Sequence, residues 1–143
     1  MKRKTISAFI INLFLATGLT TAYATEMFAV KDEHTVIITC MTQQVKTKVP
    51  TIQQTRISQC VLADANLASK CLGISTNDYT RIVKSCFTKL QNDKCVSAKL
   101  NLPLLKYASC GNGSNPGDCY QQFGYTSDMI TKLSRDCQKE NAR

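Results

Sequence analysis

Apolar residues recur every three to four positions along most of the chain beyond residue 31, a spacing typical of helices that bury one face. In residues 32–48, Ile37, Met41 and Val45 follow one another at intervals of four. We therefore predict a first helix there, ended by Pro50. Residues 35–39 are β-branched throughout, so a strand is the alternative for that stretch.

The same spacing predicts further helices at residues 52–72, 79–90, 103–110 and 127–137, with a brief helical turn at residues 119–123. Gly73 is expected to close the second helix in a left-handed conformation. Ser75 offers a cap for the third helix, and Asn92-Asp93 is expected to end it. The predicted fold class is an all-α bundle of about five helices arranged as helical hairpins.

Eight cysteines are the strongest local signal, and all of them lie beyond residue 24. Successive pairs of cysteines flank four turn signals. In an antiparallel helical hairpin, residues at equal distances from the turn lie side by side on the two helices. We therefore expect structural disulfides within neighbouring pairs. The preferred pairs are Cys40 with Cys60, Cys71 with Cys86, Cys95 with Cys110, and Cys119 with Cys137.

Eight cysteines allow 105 pairings, and the sequence alone does not select one. A rival arrangement nests Cys71–Cys86 inside Cys60–Cys95. Cys86 and Cys95 are nine residues apart, which places them half a turn out of phase on one helix. The rival arrangement thus requires a helix break at Asn92-Asp93.

The first 24 residues have the pattern of a signal peptide. Lys2, Arg3 and Lys4 precede an apolar stretch at residues 6–19, and Ala22-Tyr23-Ala24 fits a signal-peptidase site. We predict cleavage after Ala24, a single disulfide-rich domain at residues 25–143, and no transmembrane span in the processed chain. The predicted location is exported, either periplasmic or extracellular, where disulfides persist.

Charge narrows the possible partners. The chain has 18 basic and ten acidic residues, and removal of the leader lowers the net charge from +8 to +5. Arg81, Lys84 and Lys89 are expected on the polar side of the third helix. The expected partner is another protein, or else an anionic envelope or lipid surface. No aromatic residues alternate with these basic residues, so a nucleic-acid partner is not expected.

Candidate chemistry is sparse in this sequence. His34 is the only histidine, and its position in a first helical turn predicts a solvated side chain. No CxxC motif, paired histidine or short cysteine spacing occurs, so no metal site is expected. With a single histidine and no Gly-rich loop between a strand and a helix, no catalytic residue and no cofactor are expected. Carboxylates that could act as an acid and base pair all lie beside turns or on polar faces, where capping accounts for them: Asp64, Asp78, Asp93, Asp118, Asp128, Asp136 and Glu140.

The sequence favours a non-catalytic binding protein, such as an inhibitor, immunity factor, secreted effector or accessory subunit. Two alternatives stay open. Stapled helices can enclose an apolar cavity, which would suit a carrier of lipid or another small apolar ligand. The third candidate is a hydrolase that uses carboxylates, with Asp118 or Asp128 as the residues to test.

Overall fold

A computed structural model describes residues 31–61 and 64–143, and these residues form seven helices and no strand. The predicted all-α class is confirmed, and helix replaces the alternative strand at residues 35–39. Residues Glu33–Arg143 form one compact unit. The predicted leader and its cleavage site lie outside the described residues.

The helices are more numerous than the sequence predicted, and their bounds differ from the predicted ones. They are α1 (31–46), α2 (Gln54–Cys60), α3 (Ala65–Leu72), α4 (Thr76–Lys99), α5 (Leu104–Gly111), α6 (Pro116–Gln121) and α7 (Ser127–Asn141).

The predicted helix at residues 52–72 is wrong, because α2 and α3 are separate helices. Asp64 begins α3 by accepting hydrogen bonds from the backbone N–H groups of Asn66 and Leu67 at 2.9 and 3.0 Å. A disulfide joins Cys60 to Cys71 with a Cα–Cα distance of 5.7 Å. One continuous helix would hold these Cα atoms roughly 16 Å apart, so the bond requires a turn between them.

The predicted break at Asn92-Asp93 is also wrong, because α4 continues through both residues to Lys99. Asn92 donates a hydrogen bond from Nδ2 to Ser134 Oγ of α7 at 2.9 Å. Asp93 accepts one from Lys89 Nζ one turn earlier at 2.5 Å. Asn and Asp disfavour helix by well under 1 kcal/mol each, so such contacts are enough to retain it.

Helix α4 is shared by two apolar cores, and a smaller apolar cluster of Leu90 with Val36 and Ala108 adjoins them. Its N-terminal part, through Tyr79, Ile82 and Cys86, packs with residues of α1, α2 and α3. Its C-terminal part, through Val96 and Leu100, packs with residues of α5, α6 and α7. Cys86 and Cys95 lie on opposite sides of α4, because a spacing of nine residues puts them half a turn out of phase on the unbroken helix.

The disulfide pairs in the structure are Cys40–Cys86, Cys60–Cys71, Cys95–Cys137 and Cys110–Cys119. All eight cysteines are bonded, but the predicted neighbour pairing is wrong for every pair. That pairing assumed one hairpin around each turn signal. Instead, two disulfides join cysteines close in sequence across tight turns. The other two join cysteines far apart in sequence and connect the outer helices α1 and α7 to α4.

The disulfides define two repeats, residues 33–88 and residues 89–141. In each repeat a long disulfide encloses a short one, with sequence separations of 46 and 11 in the first and 42 and 9 in the second. Each repeat runs from a helix with the first cysteine, through two short helices, to a helix with the last cysteine. The structure thus contains a tandem nested-disulfide motif with α4 in both copies.

The turn before the last helix of each repeat follows the same pattern. Gly73 and Gly124 have φ angles of 71° and 83°. Two residues later, the side chains of Ser75 and Thr126 cap α4 and α7. Cys86 and Cys137 each follow the glycine by thirteen residues. The two glycines are therefore structurally equivalent.

Removal of a long disulfide should cost more stability than removal of a short one. In the chain-entropy model a 46-residue loop is worth about 4 kcal/mol and an 11-residue loop about 3 kcal/mol. Urea unfolding of Cys40→Ala/Cys86→Ala and Cys60→Ala/Cys71→Ala measures both losses, since each variant keeps three disulfides. A larger loss for the Cys60–Cys71 variant would contradict the entropic account.

Gly73→Ala and Gly124→Ala should each destabilise the fold by about 1 kcal/mol, because an L-residue is strained at these φ angles. A Cβ atom at either position would meet nothing within 4 Å, so the loss reports backbone strain alone. Gly113→Ala is the control, since Gly113 is not among the positive-φ glycines, and it should be neutral or slightly stabilising. Equal losses at all three positions would rule out the strain explanation.

Candidate functional site

A surface groove lies between α1 and α2 and has a volume of about 340 Å³. Helix α1 contributes His34, Thr35 and Ile38, and α2 contributes Gln54, Thr55 and Ser58. Ile38 is 3% exposed and belongs to the first apolar core, whereas the other five side chains carry hydrogen-bonding groups. The groove combines an apolar floor with a hydrogen-bonding rim.

Local hydrogen bonds fix part of this rim. Ser58 donates its hydroxyl to the Thr55 carbonyl at 2.9 Å. The Thr35 carbonyl accepts a bond from the Thr39 hydroxyl at 2.8 Å. His34 is exposed at the groove, in agreement with the solvated position expected from the sequence. The groove itself was missed, because it arises from the packing of α2 on α1, which no local sequence pattern encodes.

A buried polar cluster lies in the C-terminal part of the fold. Asp93 is 4% exposed and forms an ion pair with Lys89. The rings of Tyr107 and Tyr120 stack with centroids 5.4 Å apart, and the Tyr120 hydroxyl donates to the Tyr107 carbonyl at 3.2 Å. Burial raises the pKa of Asp93 and of both tyrosines. Both phenols are therefore neutral at physiological pH.

Other acidic side chains named in the sequence analysis also form local contacts. Asp64 caps α3, Asp78 contacts Ser75, Lys48 and Arg81, Asp118 contacts Asn115, and Glu140 pairs with Lys99. A hydrogen bond from Ser75 is the main reason that the pKa of Asp78 is lowered. Asp64 caps α3, whereas the sequence analysis places it within one continuous helix at residues 52–72.

Two rows of exposed side chains lie on α4 and α7, and the basic members of the two rows occupy equivalent positions. The α4 row is Arg81, Lys84 and Phe87, and the α7 row is Met129, Lys132 and Arg135. A spacing of three makes the members of each row neighbours on the helix surface. Phe87 and Met129 are 48% and 46% exposed. Each row thus places one large apolar side chain beside two cations.

These rows follow the repeat. Arg81 and Lys132 lie five residues before Cys86 and Cys137, and Lys84 and Arg135 lie two residues before them. Both copies of the motif therefore present a basic pair at the same register. Arg81 and Lys84 are exposed on α4 as the sequence analysis expected, whereas Lys89 is half-buried and pairs with Asp93. The α7 counterpart was missed because the repeat was not recognised.

Cys95, Cys137 and Glu140 form a group of potential metal ligands in the part of the chain that the structure describes. The two sulfur atoms are bonded to each other. A disulfide offers no thiolate, so the group does not serve as a metal site while it is oxidised.

Across residues 31–61 and 64–143, the structure contains no helix with the length and apolar character of a membrane span. No protein-family model, curated protein or solved structure matches this chain.

Replacement of Asp93 by asparagine should reveal its raised pKa as a pH dependence of stability. The folded state holds the Asp93 proton more tightly than the unfolded state does. Its contribution to folding is therefore complete below the ordinary pKa of 3.8 and is lost as pH rises through the raised value. The unfolding free energy of wild type minus that of Asp93→Asn should fall as pH increases, as measured by urea unfolding.

Asp78→Asn provides a control of opposite sign, because the pKa of Asp78 is lowered. The unfolding free energy of wild type minus that of Asp78→Asn should therefore rise with pH. If the stability difference for Asp93→Asn also rose with pH, the ion pair with Lys89 would lower the pKa of Asp93 by more than burial raises it.

Proposed function

We propose that this chain is a small exported binding protein that acts by contact with another protein rather than by catalysis. The basic pairs at equivalent positions on α4 and α7, each with a large apolar side chain beside it, support the proposal most directly. Clustered cations favour an acidic partner, and an exposed Phe or Met beside them supplies apolar area that a contact can bury. The second row makes two-site contact possible.

Export is part of the proposal and rests on two observations. Eight cysteines form four disulfides in the structure, which is typical of proteins from an oxidising compartment. The N-terminal residues have the composition of a cleaved leader.

Roles in folding also account for the groups that could serve in catalysis. The disulfides join helices, Asp64 caps a helix, and Asp78, Asp93 and Glu140 pair with basic residues. His34 lies at the groove, where hydroxyl and amide side chains surround it. These contacts favour a binding role over the carboxylate hydrolase considered from the sequence.

Native mass spectrometry of the protein purified from its source envelope should find a stoichiometric complex with an acidic protein. Lys132→Glu/Arg135→Glu should weaken that complex about tenfold, since each reversed charge near a partner costs roughly 0.5–1 kcal/mol. Binding of the wild type should also decline with added salt. Lys46→Glu/Lys70→Glu makes the same change in charge on α1 and α3 and should bind as wild type does.

A co-purifying lipid in place of a protein would contradict the proposal and favour the carrier. Turnover of glycan or peptidoglycan that is lost in Asp118→Asn or Asp128→Asn would contradict it in favour of the hydrolase. Equal weakening by both charge-reversal pairs would show that net charge, rather than the α7 row, drives the association.

A further inference from the structure

The long disulfide of the second repeat lies against a carboxylate. Cys95 on α4 and Cys137 on α7 are bonded, with Cα atoms 5.8 Å apart. Glu140 follows Cys137 by three residues, so both side chains project from the same face of α7. Glu140 Oε2 lies 3.7 Å from Cys95 Sγ, and one ligand atom from each of the three residues lies within 4.8 Å of the others. Three potential metal ligands therefore converge between the two helices.

The long disulfide of the first repeat has different surroundings. Lys89 has the position there that Glu140 has in the second repeat, three residues after the last cysteine. The Gln44 side-chain nitrogen lies 3.6 and 3.5 Å from the sulfur atoms of Cys40 and Cys86. Ammonium and amide N–H groups are hydrogen-bond donors and do not bind a cation. The carboxylate beside the disulfide is thus specific to the second repeat.

An ion pair directs the Glu140 carboxylate toward the sulfur atoms. Lys99 donates a hydrogen bond from Nζ to Glu140 Oε1 at 2.6 Å, which leaves Oε2 as the oxygen beside Cys95. The side chains of Lys99 and Glu140 are 36% and 54% exposed, whereas Cys137 is 0% exposed. The group therefore has a buried side formed by sulfur and a side that solvent reaches.

The distances suit a tetrahedral zinc ion once the disulfide is open. With Zn–S and Zn–O bonds of about 2.3 and 2.1 Å, a sulfur and an oxygen ligand lie about 3.6 Å apart. Cys95 Sγ and Glu140 Oε2 are 3.7 Å apart. Two sulfur ligands of one zinc ion lie about 3.8 Å apart, which is close to the contact distance of unbonded sulfur atoms.

We propose that Cys95, Cys137 and Glu140 form a zinc site that is created when the Cys95–Cys137 disulfide is reduced. A dithiol reductant transfers two electrons and two protons to this disulfide and becomes a disulfide itself, which leaves two thiols on this chain. Zinc then displaces both thiol protons and binds the two thiolates and Glu140 Oε2, with water as the fourth ligand.

The charges at the reduced site favour this ligand set. Two thiolates, one carboxylate and Zn²⁺ leave one net negative charge, and the Lys99 ammonium beside Glu140 balances it. The hydrogen bond from Lys99 also orients the carboxylate, as groups around metal ligands commonly do. Thiolate ligands select zinc over calcium or magnesium. The inference is independent of the proposed binding function.

Zinc titration of the reduced full chain tests the proposal. A phosphine opens disulfides under argon, alkylation mapping identifies the open ones, and the phosphine is removed before zinc is added. Chains with Cys95–Cys137 open should bind one zinc ion and release two protons, whereas oxidised chains should bind none. Cobalt in place of zinc should give the visible absorption of a tetrahedral site with thiolate ligands.

Three variants separate this site from the other thiols. Glu140→Gln should weaken zinc binding about tenfold or more, because a neutral amide replaces an anionic ligand. Cys95→Ala/Cys137→Ala, reduced to the same extent, should not bind zinc in the range where wild type does. Cys40→Ala/Cys86→Ala is the matched control, because it removes the equivalent pair of the first repeat and should bind zinc as wild type does.

Three outcomes would overturn the proposal. Zinc binding by Cys95→Ala/Cys137→Ala that equals that of wild type would place the ion on other thiols. An unchanged zinc affinity in Glu140→Gln would exclude the carboxylate as a ligand. Loss of helical circular dichroism on reduction, without recovery when zinc is added, would show that the ligands come together only through their disulfide. The proposed binding function would stand in each case, since it rests on the basic pairs of α4 and α7.

Discussion

The fold depends on one constraint, which is that Cys86 and Cys95 lie on opposite sides of the unbroken helix α4, half a turn out of phase. Because the two sulfur atoms leave the helix on opposite sides, their long disulfides bind α1 and α7 to different parts of its surface. Apolar residues then gather into one core on each side. A short disulfide within each repeat fixes the pair of small helices that covers the core.

The all-α class and the presence of disulfides could be predicted from the sequence, since both follow from local spacing and cysteine content. The pairing could not. It depends on whether residues 52–72 and 79–99 are continuous helices, and local signals gave the wrong answer for both. Asp64 was treated as one polar residue within a helix but caps α3, whereas Asn92-Asp93 resembled a break but is retained by contacts with Ser134 and Lys89.

The half-turn phase difference between Cys86 and Cys95 follows from their spacing of nine residues, and it constrains the disulfide pairing more than symmetry about the turns does. Applied to a continuous α4, it excludes any hairpin in which both cysteines face one neighbour. The groove was beyond sequence reasoning for another reason. Its lining comes from two helices, α1 and α2, and the groove exists only because these helices pack against each other.

The repeat also organises the surface. Both copies retain a capped helix with a basic pair at fixed distances from its cysteine, so the basic pairs on α4 and α7 are related by the same register as the disulfides. The copies differ where the first two helices of each repeat meet. In the second repeat Val36 and Ile37 of α1 pack against Leu90 and Ala108, whereas in the first repeat polar side chains line that position.

Proteolytic mapping of the unreduced protein by mass spectrometry tests the nested arrangement most directly. Trypsin cleaves between all neighbouring cysteines except Cys110 and Cys119, which a cut before Asp118 separates. The structure predicts peptides linked through Cys40–Cys86, Cys60–Cys71, Cys95–Cys137 and Cys110–Cys119. Peptides linked through Cys40–Cys60 or Cys71–Cys86, or free thiols at these positions in the folded protein, would contradict the two-repeat account.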